Sequence, residues 1–305
     1  MKIHMKKKKT RGKRHWGRRR MRRTALTFGM FIACISLLLS CWVRGPWKGW
    51  KKDGDKSRIT KMYTADKKTK PSTHNTEISE RPSATPAVSV NPVNKTDRLY
   101  SYLQGPWSWH HRLEWSGEWG DTFMDGSSFG GFGCGICCMA NIYSSLTEYQ
   151  CSPLDMYRYT KRHTGYSGGM AVEWGYMRRG LSSLGFKCHV ERKHESYRKF
   201  QKKIKKSKAA IVLVSSTDSR IYWKNTPGHY VTIFEYDQQT DKVFLADSGD
   251  PKHNRHWISL RKIYRSLKSA SNWQCLLVED HNAKKDTWKH KKTTGRWNRP
   301  KYLKK

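Results

Sequence analysis

Acidic residues are scarce in this chain. Its 305 residues carry 24 Asp and Glu against 61 Lys and Arg, a formal net charge of +37. The excess is unevenly placed. Residues 1–97 hold 25 Lys/Arg against 6 Asp/Glu, and residues 281–305 hold 10 against 1. Such basic runs are solvated and attract polyanions: nucleic acid, anionic lipid or an acidic cell wall. No helix-turn-helix, zinc-finger or aromatic RNA-binding pattern is present, so no specific nucleic-acid partner is expected. There is no internal repeat. No Gly-x4-Gly-Lys-Ser/Thr loop occurs, which excludes a P-loop ATP-binding domain within these residues. Cysteines are too sparse for a disulfide framework: two of the eight, Cys34 and Cys41, fall in an apolar run, and six remain. Cys134, Cys137 and Cys138 lack a second ligand pair at zinc spacing, so no metal and no cofactor are expected.

One long apolar run exists. Thr24 to Val43 is 20 residues without a charge, long enough at ~1.5 Å per residue to cross a ~30 Å hydrocarbon core. The 13 Lys/Arg of residues 1–23 place that flank in the cytoplasm and the rest of the chain outside. The expectation is a single-pass signal anchor in the cell membrane. A cleaved signal is the first alternative. A lipoprotein signal at Leu38-Leu39-Ser40-Cys41 is the second. Residues 44–97, rich in Lys, Ser, Thr and Pro, form a flexible linker. A folded domain follows over 98–280, and a basic tail over 281–305, whose Trp288, Trp297 and Tyr302 either pack on the domain or stay loose.

Within the domain, helical patterns precede strand patterns. Cys134, Cys138, Ile142 and Leu146 recur every four residues, predicting a helix that opens at Gly133-Cys134-Gly135. Ser152, Pro153 and Asp155 form a helix start. A third helix is expected from about Gly169 to Leu184, and a basic surface helix over 195–207 with Tyr197, Phe200 and Ile204 inward. Ala209–Val214 reads as a strand. His229–Tyr236 and Val243–Ala246 read as a hairpin. Another helix follows Ser259, and a last strand covers Gln274–Val278. This is an α+β domain with helices packed on an antiparallel sheet. Trp107, Trp109, Trp115 and Trp119 serve the core, or alternatively line a peptide or glycan groove.

Three residues suggest chemistry. Cys134 at a helix start is placed where unpaired N–H groups and the helix dipole favour a thiolate, and where the same N–H groups can contribute to an oxyanion hole. His229 follows the turn Pro227-Gly228 and begins a strand. Asp247 ends the next strand. With the hairpin centred on Gln239-Thr240, His229 falls opposite Asp250 and Asp247 opposite Thr232, and a bulge would favour Asp247 as the partner of the imidazole.

Gly133-Cys134-Gly135 opening a helix, Pro227-Gly228-His229-Tyr230-Val231 on a strand, and Leu245-Ala246-Asp247-Ser248 closing the next one resemble the bacteriocin-processing, double-glycine type of cysteine peptidase. The resemblance covers roughly residues 120–280. It implies a papain-like fold, with Cys134 as nucleophile, His229 as base and Asp247 as orienting acid, acting on a peptide or protein substrate. It also implies an oxyanion glutamine about six residues before the cysteine; Ser128 stands there and is the oxyanion candidate. Ile136 and Ser248 replace prolines common in the family. Two other readings compete. Cys134-Gly135-Ile136-Cys137 has the spacing of a thiol–disulfide oxidoreductase. Alternatively, the domain is a catalytically inactive peptide- or wall-binding module.

Overall fold

The computed structural model describes residues 95–220 and 222–303. The basic segment, the apolar run and nearly all of the linker lie outside these residues. Among the described residues, no helix is long and apolar enough to cross a membrane.

The helices are α1 (Pro106–His110), α2 (Phe129–Phe132), α3 (Cys134–Leu146), α4 (Pro153–Thr164), α5 (Trp174–Ser183), α6 (Tyr197–Lys206) and α7 (Leu260–Ser266). A two-residue hairpin pairs β1 (Phe123–Met124) with β2 (Ser127–Ser128). The main sheet holds β3 (Phe186–Glu191), β4 (Ala209–Val214), β5 (His229–Asp237), β6 (Lys242–Ala246), β7 (His256–Ser259) and β8 (Cys275–His281), in the order β3-β8-β4-β5-β6-β7. Every neighbouring pair is antiparallel.

Alternation along β4 shows why the sheet is covered on both faces. Ala209, Ile211 and Leu213 join a core with α3, α4 and α5. Ala210, Val212 and Val214 join another with Phe200 and Ile204 of α6 and Leu260 and Ile263 of α7. A strand buried on both faces reads as a continuous apolar run, which is what AAIVLV is.

Helix starts follow local chemistry. Ser152 and Asp155 form a reciprocal capping box at α4, an arrangement worth about 1 kcal/mol. The third helix begins later than its apolar pattern suggests, at Trp174. Gly168 and Gly169 hold φ of 95° and 69°, which no helix accommodates.

Of the two expectations for the C-terminal residues, packing on the domain is the one observed. Trp288, Trp297 and Leu303 pack against the first core. The Trp115 N–H donates to the Asn298 carbonyl at 2.8 Å, and Gly117 bridges Trp297. Trp115 and Trp119 are fully buried beside Tyr100 and Tyr102, whereas Trp107 is exposed. Two of the four N-terminal tryptophans are therefore core, and burial of each large side chain stabilises by roughly 1.5–3 kcal/mol.

Candidate active site

α3 packs across β5 and brings its first residue to the beginning of that strand. Cys134, at the helix N-terminus, is buried but for a small exposed fraction. Gly135 is required there: a Cβ at that position would stand 2.5 Å from Val172 Cγ1 and 3.2 Å from the Tyr230 ring. Burial pushes the Cys134 thiol up. A hydrogen bond with His229, the charge of that imidazole, and the N–H groups of Tyr230 and Gly135 outweigh it, so its pKa lies below the ordinary thiol value.

His229 Nε2 lies 2.7 Å from Asp247 Oδ1, which leaves Nδ1 for the sulfur. Burial lowers the imidazole pKa, but the Asp247 carboxylate and the Cys134 thiolate raise it to about 10. Asp247 is wholly buried. Burial favours its neutral form, yet His229, His253 and Trp223 hold it well below the usual carboxylate range. The order in space is thiol, imidazole, carboxylate.

The acid is chosen by the bulge. The expected register holds at Asp237↔Lys242 and Tyr236↔Val243, then shifts at Glu235, whose φ is 43°. Beyond it Phe234 pairs with Phe244 and Thr232 with Ala246, not Asp247. Asp247 therefore falls one residue beyond the pairing, beside His229. Asp250 instead serves its own turn: its carboxylate accepts from the Lys252 N–H, and its backbone carbonyl accepts from the N–H groups of His253 and Asn254.

Several partners of Asp247 carry no sequence pattern. Trp223 Nε1 donates to Asp247 Oδ2 at 2.9 Å. Gly249 and Asp250 donate backbone N–H groups to Oδ1 at 2.9 and 3.3 Å. His253 Nδ1 stands 3.7 Å from Oδ2, with Tyr222 stacked on its ring at 4.0 Å. Asn254 Oδ1 accepts from the Asp247 N–H. A Cβ at Gly249 would lie 2.9 Å from both His229 Cε1 and Nε2.

Ser128 does not fit the part the resemblance gave it. It is an exposed residue of β2 paired with Phe123, and its side chain makes no capping bond to α2. A glutamine is nevertheless present in the region, from much further upstream. Gln104 is buried; its Nε2 donates to the Gly130 carbonyl at 2.9 Å, and its Oε1 accepts from Ser248 Oγ at 2.7 Å. It ties the segment entering α3 to the turn after Asp247. It is the sole glutamine between Arg98 and Cys134, which is the signal a wider search upstream would have used.

The six cysteines among the described residues are free thiols. Cys137 is fully buried, and burial drives its thiol well above the ordinary value. No strand leads directly into Cys134, since α2 occupies Phe129–Phe132. Neither feature suits a redox pair. Among the described residues, no group of His, Cys, Asp and Glu is arranged to hold a metal.

A family model described as phytochelatin synthase matches residues 169–273, roughly a third of the chain. The stretch includes His229 and Asp247 and begins after Cys134. A search of curated proteins gives no match. Three solved structures are similar at low identity. The peptidase domain of Streptococcus ComA, a bi-functional ABC transporter involved in a quorum sensing pathway, is 12% identical over 50% of this chain and 93% of its own, with a TM-score of 0.36. A C39-like peptidase from Bacillus anthracis is 15% identical over 38% of this chain, with a TM-score of 0.27; this chain spans 63% of its length. The N-terminal peptidase C39-like domain of the toxin secretion ATP-binding protein from Vibrio parahaemolyticus is 14% identical over 41% and 93%, with a TM-score of 0.23.

A thiol opening a helix, an imidazole opening a strand and a carboxylate just past the next strand lie on one antiparallel sheet, and the phytochelatin synthase match is a similarity over the part that carries the last two. In the order and placement of these residues, the chain resembles the double-glycine peptidases.

Proposed function

We propose that the chain is a membrane-tethered, extracytoplasmic cysteine peptidase that hydrolyses peptide or related amide bonds through Cys134, His229 and Asp247. The observation that carries this reading is the placement of one imidazole between a thiol and a fully buried carboxylate. The thiolate of Cys134 attacks the substrate carbonyl carbon, and electron density moves to the carbonyl oxygen. The N–H groups at the start of α3 are available to that oxyanion. Collapse of the tetrahedral intermediate breaks the C–N bond, and the imidazolium of His229 gives its proton to the leaving amine. His229, now neutral, takes a proton from water, whose oxygen attacks the thioester and releases the acid. Asp247 fixes the ring and stabilises the imidazolium throughout.

The family match supports one variation. An acyl-enzyme resolved by an amine instead of water gives acyl transfer from the same intermediate. Supplying a primary amine with the peptide separates the two: a transferase forms the new amide, a hydrolase releases only acid.

Membrane tethering rests on the apolar run Thr24–Val43 and its basic N-terminal flank. The partners proposed are a peptide or protein substrate and an anionic membrane or wall surface. Iodoacetamide alkylation across pH tests the chemistry. Cys134 should react at pH values below the ordinary thiol range, and Cys134→Ser should abolish cleavage. Alkylation following an unperturbed pKa near ~8.5, together with full activity of Cys134→Ser, would sink the proposal.

A further inference from the structure

On the layer of the sheet opposite α3, the two helices carry no acid. α6 reads YRKFQKKIKK and α7 reads LRKIYRS; neither contains Asp or Glu. The two helices form one surface. Tyr197 and Phe200 of α6 meet Tyr264 of α7 at ring separations of 5.7 and 5.5 Å, and Arg261 stacks over Tyr197 at 4.0 Å. Phe200 and Ile204 point into the core, so Arg198, Lys202 and Lys206 form a row on the outer side at four-residue spacing, all exposed. Lys199 and Lys203 at the flanks are neutralised by Glu195 and Glu191. Among the described residues, no carboxylate lies within ion-pairing distance of Arg198, Lys202, Lys206 or Arg265.

The place where the chain enters the fold adds a direction. Lys95, the first described residue, pairs with Glu235 at the bulge of β5. Glu235 and Tyr236 line a small cavity with Ile204, Ser207 and Lys208 at the end of α6. Gln201 of α6 donates to Tyr236 Oη at 3.0 Å. The preceding chain therefore joins the domain beside the basic helix. His229 begins β5 six residues before Glu235, about 20 Å away along the strand.

We propose that the α6–α7 face seats the domain on the anionic headgroups of the phospholipid bilayer that holds the apolar run, leaving Cys134, at the start of α3, on the other face of the sheet. The proposal rests on the anchor reading for its choice of lipid. A domain anchored to the same bilayer meets its surface at high local concentration, so weak charge attraction is enough.

The experiment uses the full chain reconstituted in vesicles of phosphatidylcholine, with and without phosphatidylglycerol. Lysines are labelled with acetic anhydride and read by mass spectrometry. Phosphatidylglycerol should slow labelling at Lys202 and Lys206 by about fivefold, and high salt should reverse the effect. Labelling at Lys224 and Lys252, exposed near the site, should stay unchanged. In the triple variant R198E/K202E/K206E the phosphatidylglycerol effect should vanish at Lys205. Equal labelling in both vesicles overturns the proposal. Slowing by a soluble anionic wall polymer, with none by phosphatidylglycerol, overturns it too. Alkaline carbonate extraction of the same vesicles tests the anchor separately. A chain that carbonate releases while the protection persists contradicts the anchor and upholds the face.

Discussion

Replacing Asp247 by Asn tests the proposed chemistry most directly, because the carboxylate is surrounded by donors. Oδ1 receives His229 Nε2 and the N–H groups of Gly249 and Asp250; Oδ2 receives Trp223 Nε1. An amide keeps the shape but offers one acceptor end and one donor end. Whichever way it turns, its NH2 group faces a donor. A charge-assisted hydrogen bond contributes about 1.5–3 kcal/mol, and one pKa unit corresponds to about 1.36 kcal/mol. Losing the bond to His229 should therefore lower the imidazole pKa, about 10 in the intact site, by roughly one to two units. The thiolate–imidazolium pair then falls about 10- to 100-fold relative to the neutral thiol and imidazole. Alkylation of Cys134 should lose its low-pH plateau and move toward an ordinary thiol profile. Peptide cleavage measured as kcat/KM should drop by about 10- to 100-fold. Circular dichroism melting must accompany the kinetics, since a stranded donor costs about 1–3 kcal/mol. The reasoning is refuted if folded Asp247→Asn alkylates with the parent pH profile and cleaves at the parent rate.

Other outcomes follow from the same geometry. Trp223→Phe keeps the ring and removes the donor, so kcat should fall by roughly tenfold with KM little changed; steady-state kinetics with a peptide substrate would show otherwise if the bond is idle. Gly249→Ala puts a methyl group 2.9 Å from His229 Cε1 and Nε2, and should impair alkylation at low pH while altering the melting temperature little. Ser128→Ala should leave kcat/KM unchanged, because the residue is exposed on β2, whereas Gln104→Ala should lower both activity and stability by loosening Gly130 from Ser248. Stability should depend on pH in two senses. The depressed pKa of Asp247 contributes stability that is present above an unfolded value of about 3.9 and lost on acidification. The raised pKa of His229 contributes stability fully present below about 6.5 and lost as pH rises through about 10. His229→Ala should flatten the alkaline side of a plot of melting temperature against pH.

The comparison between sequence and structure separates local from assembled information. α3, α4 and β4 were legible because each is written in one stretch: a four-residue apolar recurrence, a capping box and a continuous apolar run. The edge strands were not. β3 and β7 end the sheet, have a partner on one side only, and carry mixed sequences, FKCHVE and HWIS, in which alternation is weak. Charge left the C-terminal residues undecided: lysines favour solvent and the tryptophans among them favour burial, and Trp288, Trp297 and Leu303 pack against the core.

The site divides along the same line. Cys134, His229 and Asp247 each mark the end of a regular element, so their order along the chain is enough to suggest that they meet. Choosing Asp247 over Asp250 required a bulge at Glu235, a non-glycine residue at positive φ that no local pattern announces. Trp223 and Gln104 lie outside regular elements, and only the assembled fold carries one to the acid and the other to the turn beside it. Trp223 fills what would otherwise be an unsatisfied lone pair of a buried charge, and Gln104 holds the turn that follows it. A carboxylate fully removed from water is tolerable only when its lone pairs are filled. The sequence-visible residues would supply the reactive groups, and the residues hidden from sequence hold the charge that would make them reactive.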